Sequence, residues 1–177
     1  MEKVVEQTVL ACEYMSREKI GALIVFTREQ RLDEYFKTGT VIDAQVSEQL
    51  LRNIFFKNSP LHDGAVVIRD FRISKARVLF DEISNNPDLA LELGSRHKAC
   101  VGATENENDC IAVVVSEESG QISYAIDGEL RQNVSPEELR KVLREELVVS
   151  PAEEKTQQKK EKSIKKEKKD KSGLARK

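Results

Sequence analysis

The sequence predicts an α/β domain, a central mixed β-sheet flanked by helices, followed by a disordered C-terminal tail. Three observations carry this expectation. Short runs of branched apolar residues at 20–26, 65–68 and 110–115 suit strands buried on both faces. Segments with apolar residues at helical spacing lie around them. From Pro151 onward the core-forming pattern stops.

The elements follow in order. Residues 2–18 read as a helix, because Val5, Val9 and Cys12 recur at i, i+4 and i+7 with Glu and Lys between them. Residues 20–26 are short, branched and apolar, a buried strand. Asp43 is the expected cap of a second helix carrying Val46, Leu50 and Ile54 on one face, with Leu51 and Phe55 beside it. Asn58-Ser59-Pro60 ends that helix. Runs at 65–68 and 73–80 flank 69–72, a hairpin pattern. Residues 89–93 suit a short helical turn, with Gly94 placed to end it. Residues 110–115 form another buried strand, Ser119-Gly120 turns into a strand at 121–126, and Asp127-Gly128 makes a further turn. The last helix starts at a capping box: Ser135 as cap, Pro136 at the first helical position and Glu138 closing the box. Leu139, Val142, Leu143 and Leu147 supply its apolar face.

A chain of 177 residues holds one ordinary domain and a tail, here 1–150 and 151–177. The tail carries 11 basic and 5 acidic residues, a charge of +6, on a body of −8. Its Lys-rich composition buries too little surface to offset the ordering of a chain. It also lacks aromatics to stack on bases, so it gives no strong nucleic-acid signal. The longest apolar run, 20–26, is about a third of the roughly 20 residues of a membrane-spanning helix. The N-terminus lacks the basic start and apolar middle of a signal peptide. Cys12, Cys100 and Cys110 are odd in number and unpaired by any CxxC, which suggests reduced thiols and a cytoplasmic protein. Cys100 and Cys110 read as small core residues.

Candidate chemistry gathers around the two histidines. Pro60-Leu61-His62-Asp63-Gly64-Ala65 stands immediately before a buried strand. Asp63 there can hold a hard cation or orient a hydroxyl, and the small Gly64 and Ala65 let a ligand approach the backbone. Taken alone, an Asp-Gly pair is more often a turn. Ser95-Arg96-His97-Lys98 places a hydroxyl, a guanidinium, an imidazole and an ammonium in four consecutive positions, a group that suits phosphate oxygens. Alone it also fits a solvated helix start. Ser116-Glu117-Glu118 fits either a charged hairpin loop or a metal-binding edge.

Together, Leu-His-Asp-Gly-Ala, then Glu-Leu-Gly-Ser-Arg-His-Lys-Ala-Cys-Val-Gly, then Val-Val-Val-Ser-Glu-Glu-Ser-Gly resemble the catalytic domain of the diadenylate cyclases, over residues from about 5 to 147. The family signatures Asp-Gly-Ala and Arg-His-Arg stand here as Asp63-Gly64-Ala65 and Arg96-His97-Lys98. The resemblance implies an enzyme that makes cyclic di-AMP from two ATP molecules. It implies that Asp63 binds a divalent metal, Mg²⁺ or Mn²⁺, and helps to activate the ribose 3′-hydroxyl. It further implies that Gly64 and Ala65 line the nucleotide pocket, that Ser95, Arg96, His97 and Lys98 hold phosphates, and that residues 21–26 help to wall the adenine. Glu118, with Glu117 as the weaker choice, matches the glutamate region near the metal. The resemblance implies one ATP per domain and two domains facing each other, so that turnover would require a homodimer. Family members are often tethered by membrane helices that this sequence does not contain.

Two departures motivate an alternative. Lys98 replaces the second arginine of the signature, keeping the charge and losing the bidentate fork. Residues 74–82 are more charged than the apolar run common in the family and lack its proline. The alternative is a catalytically impaired member that binds ATP or a cyclic dinucleotide.

Overall fold

A computed structural model describes residues 1–28, 37–80, 93–105 and 109–148 of the chain. The expected tail and most of the expected helical turn at 89–93 lie outside these residues. The elements run α1 (Glu2–Arg17), β1 (Ala22–Thr27), β2 (Thr40–Gln45), α2 (Glu48–Phe55), β3 (Ala65–Arg69), β4 (Arg72–Val78), α3 (Ser95–Thr104), β5 (Cys110–Val115), β6 (Ile122–Ile126), β7 (Glu129–Arg131) and α4 (Pro136–Val148). Among the described residues the strands form one mixed sheet in the order β2-β4-β3-β1-β5-β6-β7. β1 pairs parallel with β3 and antiparallel with β5, so a mixed sheet with flanking helices is what the chain builds.

Alternation along the central strands divides the core into two layers. Ala22, Ile24 and Phe26 of β1 face a cluster with Val5, Val9 and Met15 of α1, Leu51 and Phe55 of α2, and Leu139 and Leu143 of α4. Leu23 and Val25 face the opposite way, towards Cys100, Val101 and Ala103 of α3. β1 and β5 are buried along their whole length, as continuous apolar runs require. All three cysteines are free and buried. Burial pushes Cys12 and Cys110 up to about 12, which makes them core residues and not nucleophiles.

The helix ends follow local chemistry. α1 closes with Lys19 in the left-handed region, the Ile20 amide donating to the Met15 carbonyl at 2.8 Å and the Lys19 amide to Ser16 at 3.3 Å. In α4 the Ser135 hydroxyl accepts from the Glu138 amide at 3.1 Å, as the capping pattern predicts.

Two local expectations need correction. Asp43 does not cap α2; it lies in β2, and Ser47 caps the helix, its hydroxyl accepting from the Leu50 amide at 3.2 Å. The β-branched Thr40, Val41 and Ile42 extend the chain against β4, and Asp43 marks an irregularity in that pairing with φ 46°, its carboxylate accepting from Arg72 at 2.8 Å. Arg69 and Arg72 belong to strands, and the hairpin turn shrinks to Asp70-Phe71, both at positive φ as a two-residue hairpin requires. Gly94 opens α3 as its N-cap, and most of the helical turn it is expected to end lies outside the described residues.

Candidate active site

Strand direction decides which sequence clusters share an end of the sheet. β1 and β3 run parallel with Ile24 opposite Val66, so both strands begin at the same end. β5 runs against β1 with Val115 opposite Ala22, so it finishes there, and the 116–121 turn lies at that end too. Asp63-Gly64, Gly21 and Ser116-Glu117-Glu118 therefore stand at the mouths of three adjacent strands. α3 packs against β1, β5 and β6 and adds Ser95-Arg96-His97-Lys98.

At the mouth of β3 the backbone is specialised. Gly64 has φ +101°, and a side chain there would place its Cβ 2.7 Å from the Val78 carbonyl oxygen at the end of β4. Only glycine makes this turn and lets β4 close against it. Asp63, one residue earlier, is exposed, and its carboxylate has no hydrogen-bond or ion-pair partner among the described residues. Ala65 is fully buried as the first residue of β3. Preceding them, His62 Nδ1 donates to the Ser59 carbonyl at 2.7 Å, fixing its ring against the loop. Of residues 74–82, 74–78 lie in β4, and 81 and 82 fall outside the described residues.

The start of α3 is electrostatically unbalanced. Gly94 provides no side-chain cap, and no acidic residue occupies the first turn. Among the described residues its only cap-type bonds run from the His97 and Lys98 amides to the Gly94 carbonyl, and the Ser95 and Arg96 amides have no backbone acceptor there. Arg96 and Lys98 add two cations at the positive end of the helix dipole, where cations are disfavoured. Glu117 compensates in part: Arg96 Nη1 donates to its Oε1 at 2.8 Å, across 21 positions of sequence. His97 is almost wholly buried. Burial lowers its pKa below the usual imidazole value, opposed by the charges of Glu117 and Glu118. Ser95 is exposed, Lys98 is half-buried, and the side chain of each lacks a described partner.

Glu117 and Glu118 sit on a turn tied by the Ser116 hydroxyl, which accepts from the Glu118 and Ser119 amides at 3.2 Å. The Glu118 carboxylate points to no described partner. Asp63 and Glu118 thus offer hard oxygen donors of the kind Mg²⁺ or Mn²⁺ takes. Among the described residues no group of three or more His, Cys, Asp or Glu side chains is placed to enclose a metal. The set fits a cation that keeps most of its coordination for phosphate and water oxygens, as Mg²⁺ commonly does.

The structure joins the α3 cluster to the 116–118 turn through Arg96 and Glu117, and places Asp63, Gly64 and Ala65 at the same sheet end. Sequence reasoning named Glu117 and Gly21 in other roles and missed their partnership with Arg96. Glu117 engages Arg96, and Gly21 lies directly beneath that pair. No spacing rule connects positions 21, 96 and 117, so only the fold reveals them.

A family model described as the DisA bacterial checkpoint controller nucleotide-binding domain matches residues 9–130. The chain belongs to this family. It is 45% identical over 149 residues to the diadenylate cyclase of Listeria monocytogenes, covering 84% of this chain and 54% of that protein. To the cyclic di-AMP synthase CdaA of Bacillus subtilis it is 39% identical over 146 residues, covering 82% of this chain and 53% of that protein. It spans about half the length of these curated relatives. The crystal structure of a double cysteine mutant of DacA from Staphylococcus aureus superposes with a TM-score of 0.78 at 40% identity, covering 82% of this chain and 96% of that one. The DisA-type nucleotide-binding fold is therefore shared along nearly the whole solved chain. No described helix of this family member is long and apolar enough to cross a membrane.

Proposed function

We propose that this chain is a diadenylate cyclase catalytic domain that condenses two ATP molecules into cyclic di-AMP and releases two pyrophosphates. The observation that carries this reading is the Arg96–Glu117 pair, which ties a cation-rich helix start to the sheet end where Asp63 emerges as a free carboxylate. The names of the relatives, diadenylate cyclase and cyclic di-AMP synthase, support the same reading.

In this reading Ser95, Arg96 and Lys98, with the open amides of α3, bind the triphosphate, because oriented N–H groups and cations at a helix start attract anions. His97, whose pKa burial lowers, shares a hydrogen bond with a phosphate oxygen. Gly64 and Ala65 let the nucleotide lie against the backbone. Asp63 and Glu118 hold a Mg²⁺ or Mn²⁺ ion. When bound, such an ion stabilises negative charge on phosphate oxygens and on a developing alkoxide. Asp63 also orients the ribose 3′-hydroxyl. For each half of the ring the 3′-oxygen bonds to the α-phosphorus of the other nucleotide and the bond to the pyrophosphate breaks. With one nucleotide per domain, two domains must face each other, so the active species is a homodimer. Catalysis is positioning and charge stabilisation, as in other phosphoryl transfers.

Incubation with ATP and Mn²⁺ or Mg²⁺, read by chromatography, is expected to yield cyclic di-AMP. Asp63→Asn is expected to lower turnover by about 10²–10³-fold, the loss typical of one essential charge-stabilising group. Nucleotide binding without product would replace the enzyme by the binding module. Specific activity should fall on dilution below the dimer dissociation constant. Constant activity in a demonstrably monomeric sample would refute the facing pair.

A further inference from the structure

We propose that Gly21 and Glu117 form the seat that aims the Arg96 guanidinium, and that both are positioning residues for phosphate binding at this site. The inference rests on the reading of α3 as the phosphate-binding helix start.

The argument begins with space. A Cβ built on Gly21 would lie 2.8 Å from Glu117 Oε2, 2.9 Å from Arg96 Nη1 and 3.1 Å from Arg96 Cζ. The ion pair therefore occupies the volume that any larger residue at 21 would fill. Gly21 differs here from Gly64, whose φ of +101° demands glycine for the backbone. The backbone of Gly21 does not lie in that region. Glycine is needed at 21 for what lies above it.

Charge supplies the second half. An arginine in the first turn of a helix is repelled by the helix dipole and by Lys98, and its long side chain has many rotamers. Here its side chain is only 20% exposed, held by Glu117 at 2.8 Å. Glu117 engages one corner of the guanidinium, Nη1. Nε is buried without an acceptor, and Nη2 has none among the described residues. The fork is thus immobilised while part of its donor capacity stays open, the state that lowers the entropy cost of gripping a phosphate.

The test compares Gly21→Ala, Glu117→Gln and Glu117→Asp with wild type. It reads melting temperature, turnover of ATP with Mn²⁺, and affinity for α,β-methylene ATP with Mn²⁺. The atoms crowded by the added methyl group are ends of flexible side chains, so Gly21→Ala should melt within about 2 °C of wild type. Gly21→Ala and Glu117→Gln should each bind the analogue about 10-fold more weakly, the worth of one well-placed bond to a charged group, and Glu117→Asp should recover part of the loss. In an Arg96→Ala background neither substitution should weaken binding further. Wild-type affinity in Gly21→Ala, or losses that persist in the Arg96→Ala background, would overturn the seat while leaving the cyclase reading intact. A wild-type protein that neither binds the analogue nor turns over ATP would sink both. Glu117→Gln keeps the proposal testable should Gly21→Ala fold poorly.

Discussion

On one face of the sheet α1, α2 and α4 bury Val5, Met15, Phe55, Leu139 and Leu143; on the other α3 buries Cys100, Val101 and Ala103. The first layer is made of large side chains and is riveted by Arg140–Glu6 at 2.9 Å and by Arg144–Glu2. Small side chains make the second, and its helix starts without a side-chain cap or an acidic first turn. The difference separates two tasks. Most apolar burial, and so most of the stabilisation, comes from the large-residue layer. The small-residue layer brings α3 close to β1 and β5, and the first turn of that helix carries no acidic residue. Proteins commonly break local rules at functional sites and compensate elsewhere, and the proposed function puts the site on the face where the rules are broken.

The comparison can be broken most forcefully in the large-residue layer. Leu143 is fully buried, and Leu143→Ala should cost about 2–5 kcal/mol of unfolding free energy in urea titration, whereas Ser95→Ala at the exposed start of α3 should stay within about 0.5 kcal/mol. Equal losses at the two positions would erase the distinction between the layers.

A smaller effect tests whether capping supports only one of them. Ser135→Ala removes the acceptor for the Glu138 amide and should cost about 0.5–2 kcal/mol by the same titration. Gly94→Ser, which would supply a cap to α3, should stabilise the fold slightly and weaken nucleotide binding, since its hydroxyl would compete for the open amides. Tighter binding in Gly94→Ser would show that those amides are not used.

The smallest effect is linked to pH. His97 has a lowered folded pKa, chiefly from burial, so below its ordinary value of about 6.5 the unfolded chain takes up protons more readily than the folded one. Stability should be fully present above that value and fall as pH drops through it towards the folded pKa. His97→Gln should flatten that part of the melting-temperature profile. A wild-type profile that rises on acidification across this window would contradict the burial of a neutral imidazole.

Much of the fold was legible because its signals are local. The apolar runs of β1, β3 and β5 and the capping box at Ser135 need no knowledge of distant residues. β2 was missed for an equally local reason. Asp43 looks like a helix cap, and Val41, 71% exposed, does not show the inward alternation of a half-buried strand. The two polar clusters of the site were visible as clusters, and the resemblance joined them. Their common position at one sheet end depends on the parallel pairing of β1 with β3, and the partnership of Arg96 with Glu117 over Gly21 depends on how α3 docks. Neither leaves a periodic trace in the sequence.

The outer strands bear on how copies of this domain can meet. β2 is interrupted beside Asp43, and β7 is only three residues long and carries Glu129 and Arg131. Both rims are thus blunted against recruiting a neighbour's backbone, the route by which exposed sheets polymerise into aggregates. Copies crowded together are thereby steered away from rim-to-rim stacking.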